Sequence, residues 1–294
     1  MTSTPSLLVT GASGLVGQAL AARRSITPLP RRDPGDGSAW WEPAAATVHR
    51  PPSLIGGVVH LAGAPVAGGR WTAAKKKAIY DSRVQGTAAL VSWLAQRAQR
   101  PSVLVSASAV GFYGDRGNER LTEDAAVGEG FLARVVQDWE AEVDKAAALG
   151  IRVVKLRIGI VLSAAGGAMG QMLPLFRAGM GGPLGSGRQW FPWIHIDDVV
   201  NVIEWALRNE QAQGVYNLAA PGVCAQRDFA RALGQALGRP AVLPAPRLAL
   251  RLALGEFAEE ALLVSTRVVP SRLEADGYSF TWPALAPALR DVVA

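Results

Sequence analysis

Ser106 and Ser108 close an apolar run that begins at Ser102, and Tyr113 follows on the loop bounded by Gly111 and Gly114. A serine at the end of a buried strand can hydrogen-bond a substrate carbonyl, and a phenol held above it can transfer a proton. Ser108 and Tyr113 are therefore the candidate catalytic pair. The spacing leaves the direction of Tyr113 open, since the ring can equally pack beneath its loop with the hydroxyl on backbone. His195, just before Asp197-Asp198, is a further titratable candidate, although a histidine preceding a helix is more often structural. The one cysteine, Cys224, excludes an internal disulfide framework and a cysteine-built zinc site, and no metal centre is expected.

A second set of residues is suited to holding phosphates. The apolar run Ser6–Thr10 breaks into Gly11, Ser13, Gly14 and Gly17, after which Leu15, Val16, Ala19 and Leu20 recur as one face of a helix. Gly11 permits the tight turn, Gly14 lets backbone approach a pyrophosphate, and Gly17 lets the helix lie close to the sheet. The anion then meets N–H groups at the helix N-terminus. Strand before and helix after are the context in which such a glycine pattern binds a dinucleotide. Arg31 and Arg32 stand at the end of the expected second strand, Ile26–Pro30. An acid there selects NAD and an arginine the 2′-phosphate of NADP. Asp33 follows, and a solvated arginine pair is the alternative. Leu61, Ala62 and Gly63 end another buried strand at a ligand-binding edge. Arg83, midway along a helix spanning about 72–99, either reaches across that edge to a phosphate or lies on the surface.

These residues need a sheet to carry them. Apolar strands alternate with helical segments as far as Leu162, which predicts a doubly wound parallel α/β sheet with Val153–Leu162 as its sixth strand. Residues 1–240 are expected to form one nucleotide-binding domain of Rossmann type. Its glycine-punctuated insertions near 163–195 are suited to covering a substrate. A short strand near Trp190–Asp198 leads to a helix capped by Asp197. Three prolines from Pro240 onward mark a small helical C-terminal region, 241–294. The loop 33–52, with Trp40-Trp41, carries no assigned role.

Composition limits the function classes. With 294 residues, 49% of them hydrophobic, the chain can bury a full core. No apolar run approaches the roughly 18 residues of a membrane span, and no membrane partner or export signal is expected. The net charge of +6 is scattered rather than gathered in a basic run with aromatics, and Lys75-Lys76-Lys77 is a short solvated cluster. The expected partner is a small molecule rather than nucleic acid, in a cytoplasmic monomer or homodimer.

The stretches TGASGLVG, HLAG, SASAVGFYG and WIHIDDVV together resemble the short-chain dehydrogenase/reductase superfamily, and more narrowly its extended, sugar-nucleotide-epimerase-like branch. RWTAAKKKAIYDSR and the long stretch from Arg157 to Val200 are similar to one subgroup, the NADP-binding epimerase family proteins of unassigned substrate. The resemblance covers nearly the whole chain. It implies NADP(H) contacts at the glycine loop, Arg31, Leu61, Ala62, Arg83 and Ile160, and aligns Ser108 with the superfamily's catalytic serine. Those enzymes carry Tyr-x-x-x-Lys on the helix after the serine strand, where lysine lowers the tyrosine's pKa. Around Phe131–Val136 this chain has neither residue. Two functions follow: an NADP-dependent oxidoreductase or epimerase with a replaced acid/base, or a non-catalytic NADPH-binding sensor.

Overall fold

The alternation of the strands sorts their side chains onto two faces, and the helices follow. In the computed structural model, which describes residues 5–294, six parallel strands form one sheet: β1 (Ser6–Thr10), β2 (Thr27–Leu29), β3 (Ile55–His60), β4 (Val103–Ala109), β5 (Arg152–Ile158) and β6 (Gly214–Leu218). Their spatial order is β6-β5-β4-β3-β1-β2. Leu8, Val58, Leu104 and Val153 face one layer, packed on α2 (Ala73–Ala95) and α3 (Phe131–Asp144). Leu7, Val9, Val59, Val105 and Val154 face the other, packed on α1 (Leu15–Ala21) and α5 (Ile196–Arg208). Both faces being covered explains why the strands are near-continuous apolar runs.

The chain builds outward from β1 to β2, then returns to the far side of β1 to place β3. The carboxyl ends of β1 and β3 therefore flank a topological switch point, where crossing connections leave a crevice for ligands. β2, with Pro28 inside it, is the edge strand that proline requires. Loop 33–52 forms a hairpin, Trp40–Glu42 against Thr47–His49, and Trp41 is buried against the α2 layer. The expected sixth strand is divided: β5 ends at Ile158, and Ile160–Leu162 pairs instead with Trp193–His195. Gly159 makes the break, because a Cβ there would lie 2.4 Å from the Pro192 carbonyl oxygen.

Beyond β5 the chain adds α4 (Gly167–Arg177), α6 (Gln226–Leu237), α7 (Arg247–Leu254), α8 (Ser271–Ala275) and α9 (Leu285–Val293). Helices α4, α6 and α9 share an apolar cluster of their own around Phe176, Trp193, Phe229 and Leu289. The stretch after residue 240 is tied back at several points. Arg267–Val268 pairs with Arg120–Leu121. Asp198, fully buried at the start of α5, accepts hydrogen bonds from Thr281 N and Trp282 N.

Beneath the switch point lies a buried polar bridge. His60 joins Thr10 Oγ1 at 2.7 Å to Thr87 Oγ1 at 3.0 Å, linking β1, β3 and α2. Burial holds the imidazole neutral, with its pKa pushed down to about 4. The unfolded chain therefore binds a proton that the native chain does not, and stability falls as pH drops from about 6.5 toward 4. The loss should be on the order of 3 kcal/mol at the acid end. Urea unfolding at about pH 7 and about pH 4.5 checks this: His60→Gln, which cannot take up the proton, should show a flatter acid dependence than the parent chain.

Candidate functional site

The glycine loop is built by close backbone approach. Gly11 has φ +69°, and a Cβ on it would lie 2.7 Å from the Leu61 carbonyl, so the loop can pass against the end of β3 only without a side chain. Gly17 is equally constrained, since its Cβ would sit 2.5 Å from Gly11 O. Gly14 differs: its Cβ would meet only Gly11 O, at 3.3 Å, leaving its open side to a ligand. Gly14 is the N-cap of α1, and no side chain caps the helix. The first N–H groups of α1, at Leu15 and Val16, are thus left for an anion, with Ser13 exposed beside them.

Past the end of β2, Arg31 lines a pocket of about 650 Å³ with Trp41, Ala62, Ser82 and Gln85. Asp33 is turned away. It accepts from Gly35 N and pairs with Arg50, and the Gly35 hydrogen bond lowers its pKa. Among the described residues no carboxylate pairs with Arg31 or Arg32, and both are exposed.

A second cavity, about 550 Å³, opens at the ends of β3, β4 and β5. The Leu61–Gly63 backbone, Ser108, Ile160 and Arg83 line it. Arg83 is not a surface residue: its Nη1 donates to Ala64 O and Ile79 O, and a Cβ on Gly63 would press on its guanidinium at 3.1 Å. No carboxylate pairs with it among the described residues, and burial lowers its pKa to about 10. It remains a cation at neutral pH and faces a cavity whose carboxylates form no ion pair with it among the described residues.

The floor of this cavity is apolar. Leu132 and Val136, one helical turn apart on α3, line it together with Val135 and Trp139. A Tyr-x-x-x-Lys pair needs that same four-residue spacing on one helix face. Among the described residues no tyrosine, histidine, lysine or cysteine lines the cavity; its acids are Asp115, Glu129, Glu259 and Glu260. Glu260 is already engaged. Its two oxygens accept from Phe131 N and Leu132 N, so a residue of the C-terminal region caps α3 across the cavity.

Ser108 is held in a way its position on β4 does not reveal. Its hydroxyl donates to Glu140 Oε1 at 2.5 Å, and Glu140 in turn takes a two-pronged pair from Arg157, Nε and Nη2 each at 2.8 Å. All three are buried. With its proton committed to Glu140, Ser108 presents oxygen lone pairs rather than a donor to the cavity. The expected role in polarising a carbonyl is corrected accordingly: Ser108 lines the cavity, but as an acceptor.

Tyr113 also departs from expectation. Its hydroxyl donates to Asn217 Oδ1 at 2.6 Å and receives Arg157 Nη1 at 2.9 Å, and the residue is wholly buried outside the cavity. Burial raises its pKa. The loop turns the phenol inward because Arg157 and Asn217 offer the partners a buried O–H needs. Ser106, expected among the cofactor contacts, is fully buried with its hydroxyl on Ala107 O. It does not reach the cavity. His195, not Asp197, caps α5: its Nδ1 accepts from Asp197 N, and its Nε2 lies 3.1 Å from Asp291 Oδ2. Those three residues cluster, but Asp197 is taken by Arg23 and Trp282 Nε1.

Glu140, Arg157, His60 and Glu260 were missed as site-shaping residues. A charge inside the apolar run of β5 is a visible signal for Arg157. Glu140 follows Val136 by four positions on the same helix face.

Sheet order and glycine loop define the class of Rossmann-type α/β proteins. Within it, the chain belongs to the NAD-dependent epimerase/dehydratase family, whose model matches residues 46–219. A second model, a domain of unknown function, matches residues 245–292. The sequence is 36% identical over 295 residues to the human epimerase family protein SDR39U1, covering 98% of this chain and 99% of that one. It is 38% identical over 289 residues to the epimerase family protein Mb2239 of Mycobacterium bovis, covering 96% and 95%. A crystal structure of the human protein with NADPH superposes with a TM-score of 0.89 at 35% identity, over 97% of this chain and 98% of that one. MoeE5 in complex with UDP-glucose and NAD, at 19% identity, shares the fold with a TM-score of 0.74, over 98% of this chain and 97% of that one.

Removing one partner of a buried ion pair leaves an unpaired charge, which typically costs about 3–5 kcal/mol. Arg157→Met should therefore lower the unfolding free energy by about that much. The double variant Arg157→Met, Glu140→Leu should recover most of it, and denaturant titration of the three chains gives the comparison.

Proposed function

We propose that the protein binds NADPH along the carboxyl edge of the sheet and acts as an oxidoreductase or epimerase-like enzyme on a small substrate in the 550 Å³ cavity. The observation that carries the reading is the loop itself. Gly11 and Gly17 are demanded by backbone packing, whereas Gly14 leaves open space beside an uncapped helix N-terminus, as a pyrophosphate requires. Gly11, Ser13, Gly14, Leu15, Val16 and Gly17 hold the phosphates in this reading. Arg31 and Arg32, free of carboxylates, hold the 2′-phosphate. Leu61, Ala62, Gly63, Arg83 and Ile160 line the path of the cofactor into the cavity. The human relative crystallised with NADPH supports the cofactor assignment.

The cofactor, when bound, supplies or accepts hydride. The chain's part is to exclude water, with Leu132, Val135 and Val136 as floor, and to orient the substrate. Ser108 accepts a hydrogen bond from a hydroxyl or N–H, and Arg83 offers positive charge to an electron-rich group. Proton transfer falls to a group other than Tyr113 or a helix tyrosine. The rim carboxylates are the ionisable side chains within reach.

A specific observation favours a second reading, an NADPH sensor without turnover. Apolar Leu132 and Val136 fill the helix face where a proton-transferring pair would stand. Incubation of C4-deuterated NADPH with a metabolite panel separates the two. Loss of label into any metabolite establishes hydride transfer, and tight NADPH binding with no loss of label supports the sensor.

Cofactor titration should show NADPH binding tighter than NADH. Charge-assisted contacts are worth about 1.5–3 kcal/mol each, so Arg31→Ala and Arg32→Ala should each cost about tenfold to hundredfold in NADPH affinity and little in NADH affinity. Equal affinity of the parent chain for both cofactors would count against the assignment.

Gly14→Val should lose NADPH binding while keeping its denaturation midpoint. Gly17→Val should lose the fold, because its side chain would enter backbone rather than ligand space. Calorimetric titration beside thermal unfolding reads both outcomes.

A further inference from the structure

Among the described residues, the large hydrophobic side chains that stand in solvent are Leu175, Met180, Val242, Leu243, Leu248 and Leu252. They fall in two stretches of chain, and those stretches are joined: Leu243 N donates to Gly181 O at 3.2 Å and Ala245 N to Pro183 O at 2.8 Å. Helix α7, Arg-Leu-Ala-Leu-Arg-Leu-Ala-Leu, follows at once and buries none of its residues. Leu248 and Leu252 project one turn apart, each 67% exposed. Concentration of such side chains on one region marks an interaction surface.

The charge of the same region is predominantly positive. Residues 166–195 and 229–255 contain six arginines and no aspartate or glutamate. Arg177, Arg188 and Arg239 are exposed and form no ion pair among the described residues; Arg247 and Arg251 share Glu259, and Arg231 meets Asp228. Charge and shape together select the occupant. A second copy would set arginine against arginine between two chains of net charge +6. Nucleic acid would use the arginines but gains little from leucine, valine and methionine, which offer no stacking face. An anionic bilayer uses both, taking aliphatic side chains at its acyl boundary and arginines at its headgroups.

We propose that this face, formed by the end of α4, the strap 179–185/240–245 and α7, docks the protein reversibly on an anionic lipid surface. The attachment is peripheral, since no helix among the described residues is long and apolar enough to cross a membrane. Helix α7 runs through Gly255 into the turn Ala258–Leu262, whose Glu259–Leu262 segment walls the cavity. The docked surface thus adjoins the site rather than lying at the opposite end of the molecule.

Vesicle co-sedimentation of the full chain tests the proposal, using phosphatidylcholine alone and phosphatidylcholine mixed with phosphatidylglycerol. The chain should sediment with the anionic vesicles only, and added salt should release it. Leu248→Glu, Leu252→Glu should lower the partition coefficient by at least about tenfold, and Arg177→Ala or Arg239→Ala by about fivefold each. Because all four side chains are exposed, melting temperature should stay at the parental value, which separates lost docking from lost folding. Failure of the parent chain to sediment at low salt would overturn the proposal. So would unchanged partition of the leucine variant, or a concentration-dependent dimer in gel filtration that this variant abolishes.

Discussion

The buried pair of Glu140 with Arg157 is the interaction on which the arrangement of the site depends. It joins α3 to β5 at the carboxyl edge of the sheet, where both groups are out of water and every remaining lone pair or N–H must find a partner. Those needs recruit the neighbours. Ser108 gives its proton to Glu140, Tyr113 accepts from Arg157, and Asn217 on β6 accepts from Tyr113. Arg157 also lies 3.4 Å over the Phe112 ring, so the loop after β4 is fixed by one guanidinium through both its aromatics. A change in either member of the pair would release the serine and the loop together.

The same network explains why the cavity is so poor in proton donors. Side chains that could have supplied one are turned to structural work behind it, while the face of α3 toward the cavity carries Leu132 and Val136. The result is an apolar recess beside a cation, Arg83, and a serine acceptor. It can select a ligand by shape and by hydrogen-bond polarity. A hydroxyl or N–H suits Ser108, and an electron-rich group suits Arg83.

The C-terminal region is part of this site rather than an addition to it. Glu260 caps α3, Asp198 receives the backbone at Thr281 and Trp282, and Glu123 receives both Asn217 N and Arg272 N. Each is a carboxylate accepting backbone N–H groups from a distant segment, a stronger tie than neutral hydrogen bonds provide. The cavity wall is thereby coupled to the helix that forms its floor.

Much of the fold was legible in the sequence because it follows from local periodicity. Apolar runs of strand length, glycines where backbone must approach backbone, and a proline in an edge strand are constraints within a few residues of chain. The glycine loop and the absence of a tyrosine–lysine pair near Phe131–Val136 are likewise local facts. The break at Gly159 escaped, because Pro192, the neighbour that requires it, lies far along the chain. Side-chain direction escaped for the same reason. Ser108 is set by a partner 32 residues away and Tyr113 by one 104 residues away. Ser108 does stand near the end of a strand and Tyr113 on the loop that follows it, as their spacing predicts. Whether they face ligand or interior depended on which buried charges the sheet brought beside them, and in a low-dielectric interior an unmet charge outweighs any local preference.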